Sequence, residues 1–207
     1  MDRTTIKNWA KEKIKGHIGE LFVTIFVALI LTNLTIGGKV AIEGDKININ
    51  SGINLGFFLY FVEVGLVYYM VNFINDKQHE FKDLFHFIND FVKIFITNLL
   101  QNIMIFLWGL LLVIPGIIKF YAYALVPYLL ADEKYKDLGY MDILKKSEAM
   151  MNGHKWDYFI LTLSFIGWHF LALFTLGVLE IWVLPYQRTA ATKFLNALKN
   201  DFEKSSN

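Results

Sequence analysis

The sequence of 207 residues contains no cysteine, only three prolines and little charge. Without cysteine, the chain forms no disulfide, carries no thiolate nucleophile and offers no cysteine ligand to a metal. Charged residues make up 19% of the chain, whereas an average soluble domain has roughly 25%. The net charge of +1 provides no domain-wide basic field, which argues against a nucleic-acid partner.

Motifs for common catalytic and nucleotide sites are also missing. The sequence has no GxxxxGKS/T phosphate loop, no HExxH zinc motif and no GxSxG nucleophile motif. We therefore predict that the protein is not an enzyme and needs no cofactor. The abundance of Asn, Ile, Lys and Phe, together with little Pro, indicates an AT-rich bacterial genome.

Long apolar runs dominate the sequence. Hydrophobic residues make up 55% of the chain, and its mean hydropathy is +0.41. The longest run, residues 91–131, contains only two charged side chains, Lys93 and Lys119. A helix needs roughly 20 apolar residues to cross the hydrocarbon core of a bilayer. The run is therefore predicted to be a transmembrane hairpin. Its outer turn is expected at Pro115-Gly116, because proline ends a helix and glycine relaxes a turn.

Four other apolar segments, residues 18–36, 53–74, 156–174 and 178 onward, complete the predicted fold. The fold class is all-α: a polytopic membrane protein with six transmembrane helices as three hairpins, plus amphipathic interfacial helices. We expect a single membrane domain over residues 1–207. Its parts are an amphipathic cytosolic helix (1–17), hairpin 1 (18–74), an interfacial helix with hairpin 2 (75–131), and an interfacial helix, hairpin 3 and a cytosolic tail (132–207).

The polar segments between these spans have predicted structures of their own. The basic amphipathic helix near the N-terminus, which carries Trp9, suits a membrane surface, or it packs on the bundle as a cytosolic cap. Two short apolar runs around Glu43-Gly44-Asp45-Lys46 predict a small β-hairpin. Residues 75–90 are predicted to be helical with four apolar side chains on one side, Phe81, Leu84, Phe85 and Ile88.

The distribution of Lys and Arg predicts the orientation. Residues 1–17, 75–93, 132–155 and the tail from Arg188 hold 17 of the 20 basic residues. By the positive-inside rule, both termini are cytoplasmic. The protein is therefore predicted to be a multi-pass protein of the bacterial cytoplasmic membrane.

The chain also has the pattern of three repeats of one unit, an amphipathic helix followed by a hairpin. Lys15-Gly16-His17 matches Asn152-Gly153-His154 at an offset of 137, and Gly116 matches Gly177 at an offset of 61. Repeats around a shared axis are common in transporters, and their sites lie where repeats meet. The alternative is that any hairpin bundle places glycine at its turns.

Several stretches carry a family resemblance, strongest over residues 108–196: IPGIIK from Ile114, YLLAD from Tyr128, Ser147, MMNGHK from Met150, LSFIGW from Leu163 and Pro185-Tyr186. Together they resemble an uncharacterised bacterial integral membrane family, domain of unknown function 975. That family is distantly similar to the membrane-embedded part of some glycerophosphodiester phosphodiesterases. The resemblance implies a six-helix membrane protein and supplies no activity, because the catalytic barrel of those enzymes has no counterpart here.

Ionisable side chains within the predicted spans are costly and usually face the protein interior. Lys119 and Glu180 occupy matching repeat positions and are expected to approach each other, while Arg188 is expected to pair with Glu63. Such pairs either tie helices together or line a polar pocket. The candidate intramembrane polar cluster is Glu63, Lys119, Glu180, Arg188 and His169.

A second set of residues has the spacing of a metal site. His79, Asp83, His86 and Asp90 recur at i, i+4, i+7 and i+11, which places them on one face of a helix. The same spacing describes the polar side of an amphipathic helix. We interpret the set as a solvated face and predict no metal.

Two functions follow from these observations. The first is a non-enzymatic envelope, stress or immunity accessory that acts through contacts with the lipid bilayer and other membrane proteins. The alternative is a small transporter or exporter with a polar site at the interface of the hairpin repeats. A cavity open to one side and lined by Glu63, Glu180 and Arg188 favours transport, and a closed bundle with every charge paired favours the accessory.

The predicted topology can be tested with single cysteines, since the chain has none of its own. Cysteines at Asp45 and Asp137 are expected to react with a membrane-impermeant thiol reagent from opposite sides of the membrane. Labelling of both positions from outside the cell would contradict this topology.

Overall fold

The computed structural model describes residues 2–33, 35–36, 39–43, 46–50 and 53–205, and the side chains of residues 2–33 and 55–205. Helices form most of this described chain, in agreement with the predicted all-α class. The α-helices are α1 Arg3–Lys13, α2 Ile18–Thr32, α3 Tyr60–Ile74, α4 Phe91–Leu111, α5 Val113–Ala122, α6 Val126–Leu130, α7 Tyr140–Met150, α8 Lys155–Phe174 and α9 Glu180–Ser205. Short 3-10 helices lie between them at Leu55–Phe57, Phe81–Phe85, Ile88–Asp90 and Glu133–Tyr135.

Short strands join α2 to α3. They are β1 Thr35–Ile36, β2 Lys39–Glu43, β3 Lys46–Asn50 and β4 Ile53–Asn54. β1 pairs with β4, and β2 pairs with β3, both antiparallel. The second pair, in which Val40 lies opposite Ile49, is the predicted hairpin. Gly44 and Asp45 at its turn lie outside the described residues.

Helix α3 is enclosed by the rest of the bundle. It contacts α2, α4, α6, α9 and the 3-10 helix Phe81–Phe85. Eleven of its 15 residues are buried, as expected for a helix that is apolar all round. At about 1.5 Å per residue it is only about 22 Å long. Protein rather than lipid therefore surrounds most of this helix.

The long apolar run 91–131 folds back on itself, but the turn lies three residues earlier than predicted. Leu112, between α4 and α5, is extended with φ −161° and ψ 144°. Pro115 lies in the first turn of α5, where a missing N–H costs no helical hydrogen bond. Gly116 lies inside α5, and a Cβ there would come within 2.8 Å of Gly109 Cα in α4. The prediction of a turn at Pro115-Gly116 is wrong: proline begins the return helix, and glycine allows the two helices to approach closely.

The apolar helices support a membrane protein. Within the described ranges, three helical stretches are long and apolar enough to cross a membrane, namely Phe81–Leu111, Val113–Leu130 and Lys155–Phe174, and α1 with α2, bent by 106°, would be a fourth. Large apolar side chains on α4 and α8 face outward, with Phe106 67% and Leu173 73% exposed, a surface that lipid would cover. Six spans in three hairpins stay a prediction, because α2 and α3 have only 15 residues each and α9 carries several charges.

Residues 75–90 do not form the predicted amphipathic α-helix. Two 3-10 helices replace it, and of the four apolar side chains expected on one side only Leu84 is buried. The reason is local: Glu80 N donates to Asp83 Oδ2 at 2.9 Å, part of a capping box that begins a tight turn. That turn then lies with its backbone directly against Gly65 of α3.

Helix α1 packs on the bundle. Ile6, Ala10 and Ile14 are fully buried, and α1 contacts α9. On α9, Lys193 Nζ lies 4.4 Å from the centre of the Trp9 ring. Of the two interpretations of this basic helix, the structure favours the cap packed on the bundle.

The units α1–α2 and α7–α8 are locally alike. Adding 137 to the bounds of α1 gives those of α7, and each helix has 11 residues. Gly16 and Gly153 both have φ 82°, a conformation that glycine adopts without strain. At the other turns the match fails, since Gly116 is helical and Gly177 has φ 84°. A threefold repeat of the whole chain stays a prediction.

The contact between α3 and the 3-10 helix predicts a steric effect at Gly65. A Cβ on Gly65 would lie 2.2 Å from Leu84 O and 2.6 Å from Asp83 O, both backbone atoms that yield little. Gly65→Ala is expected to destabilise the protein by about 1–3 kcal/mol, measured as a lower thermal transition in detergent. Gly19→Ala in α2, where nothing lies within 4 Å, is the control. Equal transitions for the two variants would refute the close contact.

Candidate functional site

Arg188 on α9 and Glu63 on α3 form the predicted ion pair. Arg188 Nη1 donates to Glu63 Oε1 at 2.7 Å, and the two side chains are 33% and 19% exposed. Hydrogen bonds between two charged groups at this distance are among the stronger ones in proteins. The pair joins helices whose residues lie 125 positions apart in the sequence.

A cavity of about 590 Å³ lies beside this pair, and we call it the Glu63–Arg188 cavity. Its volume is within the range of small-molecule sites, about 300–1,000 Å³. Residues from seven helices, α2 to α6, α8 and α9, contribute to its wall. The polar side chains in that wall are Thr32, Asn33, Tyr60, Glu63, Asn98, Gln101, Asn102, Tyr123, Tyr128, Tyr158 and Arg188.

The described wall of this cavity is electrically neutral and has unused hydrogen-bonding capacity. Its charged members are Glu63 and Arg188, which cancel each other. Among the described residues, the guanidinium donates only to Glu63, although it has five N–H donors. The Oε1 atom of Gln101 is buried and accepts no hydrogen bond from that part of the chain. The site can therefore bind a molecule that carries both donors and acceptors.

The amides of α4 are functional candidates that the sequence reasoning missed. Asn98, Gln101 and Asn102 have i, i+3, i+4 spacing and share one helix face. Asn102 Nδ2 donates to Asn98 O at 2.8 Å and to Asn98 Oδ1 at 2.9 Å. Three amides on one face of an otherwise apolar span were a readable signal, because polar groups in spans face the protein interior. Tyr128 and Tyr158 gave no such signal, since tyrosine is common at membrane interfaces.

Lys119 does not pair with Glu180 as predicted. Its Nζ lies 2.6 Å from Glu148 Oε1 on α7 and 5.1 Å from the centre of the Trp108 ring. The physical reason is packing: α5 contacts α7 and α8, and the contact with α7 brings Lys119 to Glu148. Lys119 therefore lies outside the described wall of the Glu63–Arg188 cavity.

Glu180 and His169 form a separate polar contact between α8 and α9. His169 Nδ1 lies 2.7 Å from Glu180 Oε1, and its Nε2 lies 2.6 Å from Gln187 Oε1. None of these three residues lines the Glu63–Arg188 cavity. The structure thus divides the predicted five-residue cluster into the pairs Glu63–Arg188 and His169–Glu180 and leaves Lys119 apart, paired with Glu148 outside the cluster. Only the first pair lies at the cavity.

The spacing of His79, Asp83, His86 and Asp90 does not produce a shared face, because the α-helix that it assumed is not formed. His86 stacks on Tyr68 with the ring centres 4.8 Å apart, and His79 contacts the edge of the Tyr69 ring. No group of three or more His, Asp or Glu side chains within the described ranges could hold a metal ion. Both histidines contact α3, but His86 is solvent-exposed as the interpretation expected, whereas His79 is partly buried.

A further ion pair lies near the C-terminal end of α9. Lys199 Nζ lies 2.6 Å from Asp132 Oδ2, and Lys199 is 7% exposed. Burial acts to raise the pKa of Asp132, but hydrogen bonds from Lys199 and from the backbone N–H of Lys134 outweigh it and lower the pKa below its usual value. Asp132 therefore remains a carboxylate that holds Lys199 in place.

Comparison with known proteins identifies one family. The model of a protein of unknown function, DUF975, matches residues 1–122 and 109–201. No curated protein and no solved structure matches the chain. The match agrees with the resemblance carried by the sequence motifs, whereas the likeness to glycerophosphodiester phosphodiesterases finds no support in these comparisons.

The Glu63–Arg188 pair predicts a rescue between two substitutions. Arg188→Ala is expected to lower stability in detergent, because it leaves Glu63 without its partner, a loss of about 3–5 kcal/mol in soluble proteins and less where water or lipid headgroups relieve it. Adding Glu63→Gln is expected to restore part of this stability. Arg3→Ala, at an exposed position of α1, is the matched control. Additive losses in the double variant would show that the two side chains do not interact.

Proposed function

The chain belongs to DUF975, a family of proteins of unknown function, and we propose that it is a transporter or exporter of a small polar solute bound in the Glu63–Arg188 cavity. The observation that supports this proposal is the cavity itself. Transport sites are typically polar, lie between helices of an apolar bundle and contain ionisable side chains. No catalytic role is proposed for these side chains.

The chemistry of the cavity wall favours a zwitterionic solute. The carboxylate of such a molecule would find the guanidinium of Arg188, and its ammonium group would find the carboxylate of Glu63. The amides of α4 and the tyrosine hydroxyls would satisfy the remaining donors and acceptors. An ion with net charge would lack compensation in a neutral wall, and burying it would be costly.

The proposed protein spans the cytoplasmic membrane of a bacterium six times, with both termini in the cytoplasm. The excess of Lys and Arg in the four segments named above supports this orientation. Helix α3 can cross despite its 15 residues, because protein encloses it. The two ends of α3 would then be surrounded by loops and cavity walls of the protein rather than by lipid.

A second candidate is the accessory that acts through lipid and protein contacts. It is favoured by the pairing of charges that are at least partly buried, since Lys119, Arg188 and Lys199 each contact a carboxylate from a distant part of the chain. Exposed apolar side chains of the 3-10 helices, among them Phe81 and Ile88, would provide the lipid contacts. In this candidate the cavity binds no solute.

The test is thermal stability of the purified protein in detergent with the twenty amino acids, glycine betaine and glycerol. At a concentration of about 100 times Kd, a bound solute stabilises a protein by roughly 2.7 kcal/mol. We expect one or more zwitterions to raise the transition temperature of the wild type. The variant with Glu63→Gln and Arg188→Gln is expected to lose this shift.

The matched control has Lys119→Gln and Glu148→Gln, a neutralised pair outside the described cavity wall. It is expected to keep the shift. Absence of a shift with every solute, or its equal loss in both double variants, would contradict the binding of a zwitterionic solute in the Glu63–Arg188 cavity.

A further inference from the structure

A second cavity of about 480 Å³ lies toward the end of the bundle that holds Asp132 and the C-terminal half of α9. Its wall is strongly polar and includes four asparagines: Asn72 in α3, Asn75 just after the end of α3, and Asn196 and Asn200 in α9. We call it the asparagine cavity. The described residues that line it are Tyr68, Val71, Asn72, Asn75, Lys77, Tyr128, Ala131, Asp132, Glu133, Asn196, Lys199 and Asn200.

The two cavities follow one another along the same helices. On α3 the lining passes from Glu63 in the first cavity to Asn72 in the second, and on α9 it passes from Arg188 to Asn196. Of the described lining residues, Tyr128 on α6 alone belongs to both walls. The cavities therefore lie one behind the other, with this tyrosine between them.

A polar face on α9 continues from one cavity into the other. Arg188, Thr192, Asn196 and Lys199 recur at i, i+4, i+8 and i+11, a run of about 16 Å on one side of the helix. Thr192, Asn196 and Lys199 are only 2%, 6% and 7% exposed. Burying polar groups is costly unless they have partners, and a helix that served packing alone would have apolar residues on this face.

Tyr128 lies just after a hydrogen-bonded turn that separates α5 from α6 within the helical stretch Val113–Leu130. Residues 123–125 interrupt the run between α5 and α6, and Tyr123 and Ala124 in this break line the first cavity. The Tyr128 hydroxyl lies 3.2 Å from Thr192 Oγ1, and the residue is 7% exposed. Irregular backbone within a membrane is tolerated where it lines a cavity.

We propose that the two cavities are successive parts of one solute pathway and that Tyr128 is the gate between them. In the closed state its ring separates the cavities, and its hydroxyl is held by Thr192. Movement of the ring away from α9 breaks this hydrogen bond and joins them. This inference rests on the proposed transport function, whose solute passes from the Glu63–Arg188 cavity to the asparagine cavity.

Because the chain has no cysteine, two single-cysteine variants can report on the cavities, Asn102→Cys for the first and Asn72→Cys for the second. The probe is sulfonatoethyl methanethiosulfonate, added to right-side-out or inverted membrane vesicles. With Tyr128 present, each cysteine is expected to react from one side only, and the two from opposite sides. Each variant is then combined with Tyr128→Ala. The rate at which the probe labels the cysteine from the previously unreactive side is expected to rise roughly tenfold or more, since the substitution removes the barrier that keeps the open state rare.

Tyr158→Ala is the matched control, because Tyr158 lines the first cavity but not the second. It removes the same side chain and should leave labelling one-sided. Thr192→Val, which keeps the tyrosine ring but deletes its hydrogen-bond partner, is expected to give an intermediate rate. Each variant is used only if it keeps a cooperative thermal transition in detergent. If Tyr128→Ala does not fold, the Thr192→Val and Tyr128→Phe variants provide the test.

Unchanged one-sided labelling after Tyr128→Ala, or an equal effect of Tyr158→Ala, would overturn the gate. So would failure of the Asn102→Cys variant to react from either side in every background. Labelling does not depend on any solute. If labelling changes but no solute shifts the thermal transition, the result would therefore support the pathway between the cavities and refute the assigned solute class. If solutes shift the transition but labelling does not change, the result would support the Glu63–Arg188 cavity as the binding site and refute Tyr128 as the gate.

Discussion

The cost of partly burying the charges of Glu63 and Arg188 in an apolar bundle constrains the rest of the structure. Taking either charge out of water is expensive, and the cost is repaid only if the two groups meet in good geometry. The 2.7 Å contact fixes α9 against α3 at this level. Because α3 lies inside the bundle, the pair is held among the helices, where neighbouring side chains leave the Glu63–Arg188 cavity.

The remaining helices give this pair its polar surroundings. Close approach of Gly116 to Gly109 holds α5 against α4, and α4 presents Asn98, Gln101 and Asn102 to the cavity. Their apolar faces are turned the other way, toward the surface that lipid would cover. The same helices thus combine an outer apolar surface with an inner polar one, as expected where polar side chains within a membrane face the protein interior.

Part of this arrangement could be predicted from the sequence. The break in the run 91–131, the turn before α9 and the partnership of Arg188 with Glu63 follow from apolar length, from Gly177 and from the scarcity of charge within spans. The turn at Pro115-Gly116 and the pairing of Lys119 with Glu180 were wrong, for different reasons. Proline suits the first turn of a helix as well as its end, and repeat positions do not determine which neighbour a helix face meets.

The sequence by itself determined the helical class and the presence of apolar helices that suggest a membrane protein, because apolar length is a property of the chain alone. It also determined that few charges would be buried, and hence that each would need a partner. Only the tertiary structure decided which partner each charge has: Glu148 for Lys119, His169 for Glu180 and Asp132 for Lys199. These contacts join residues distant in the chain, and they depend on how helices pack against one another, which hydrophobic periodicity within one helix does not specify.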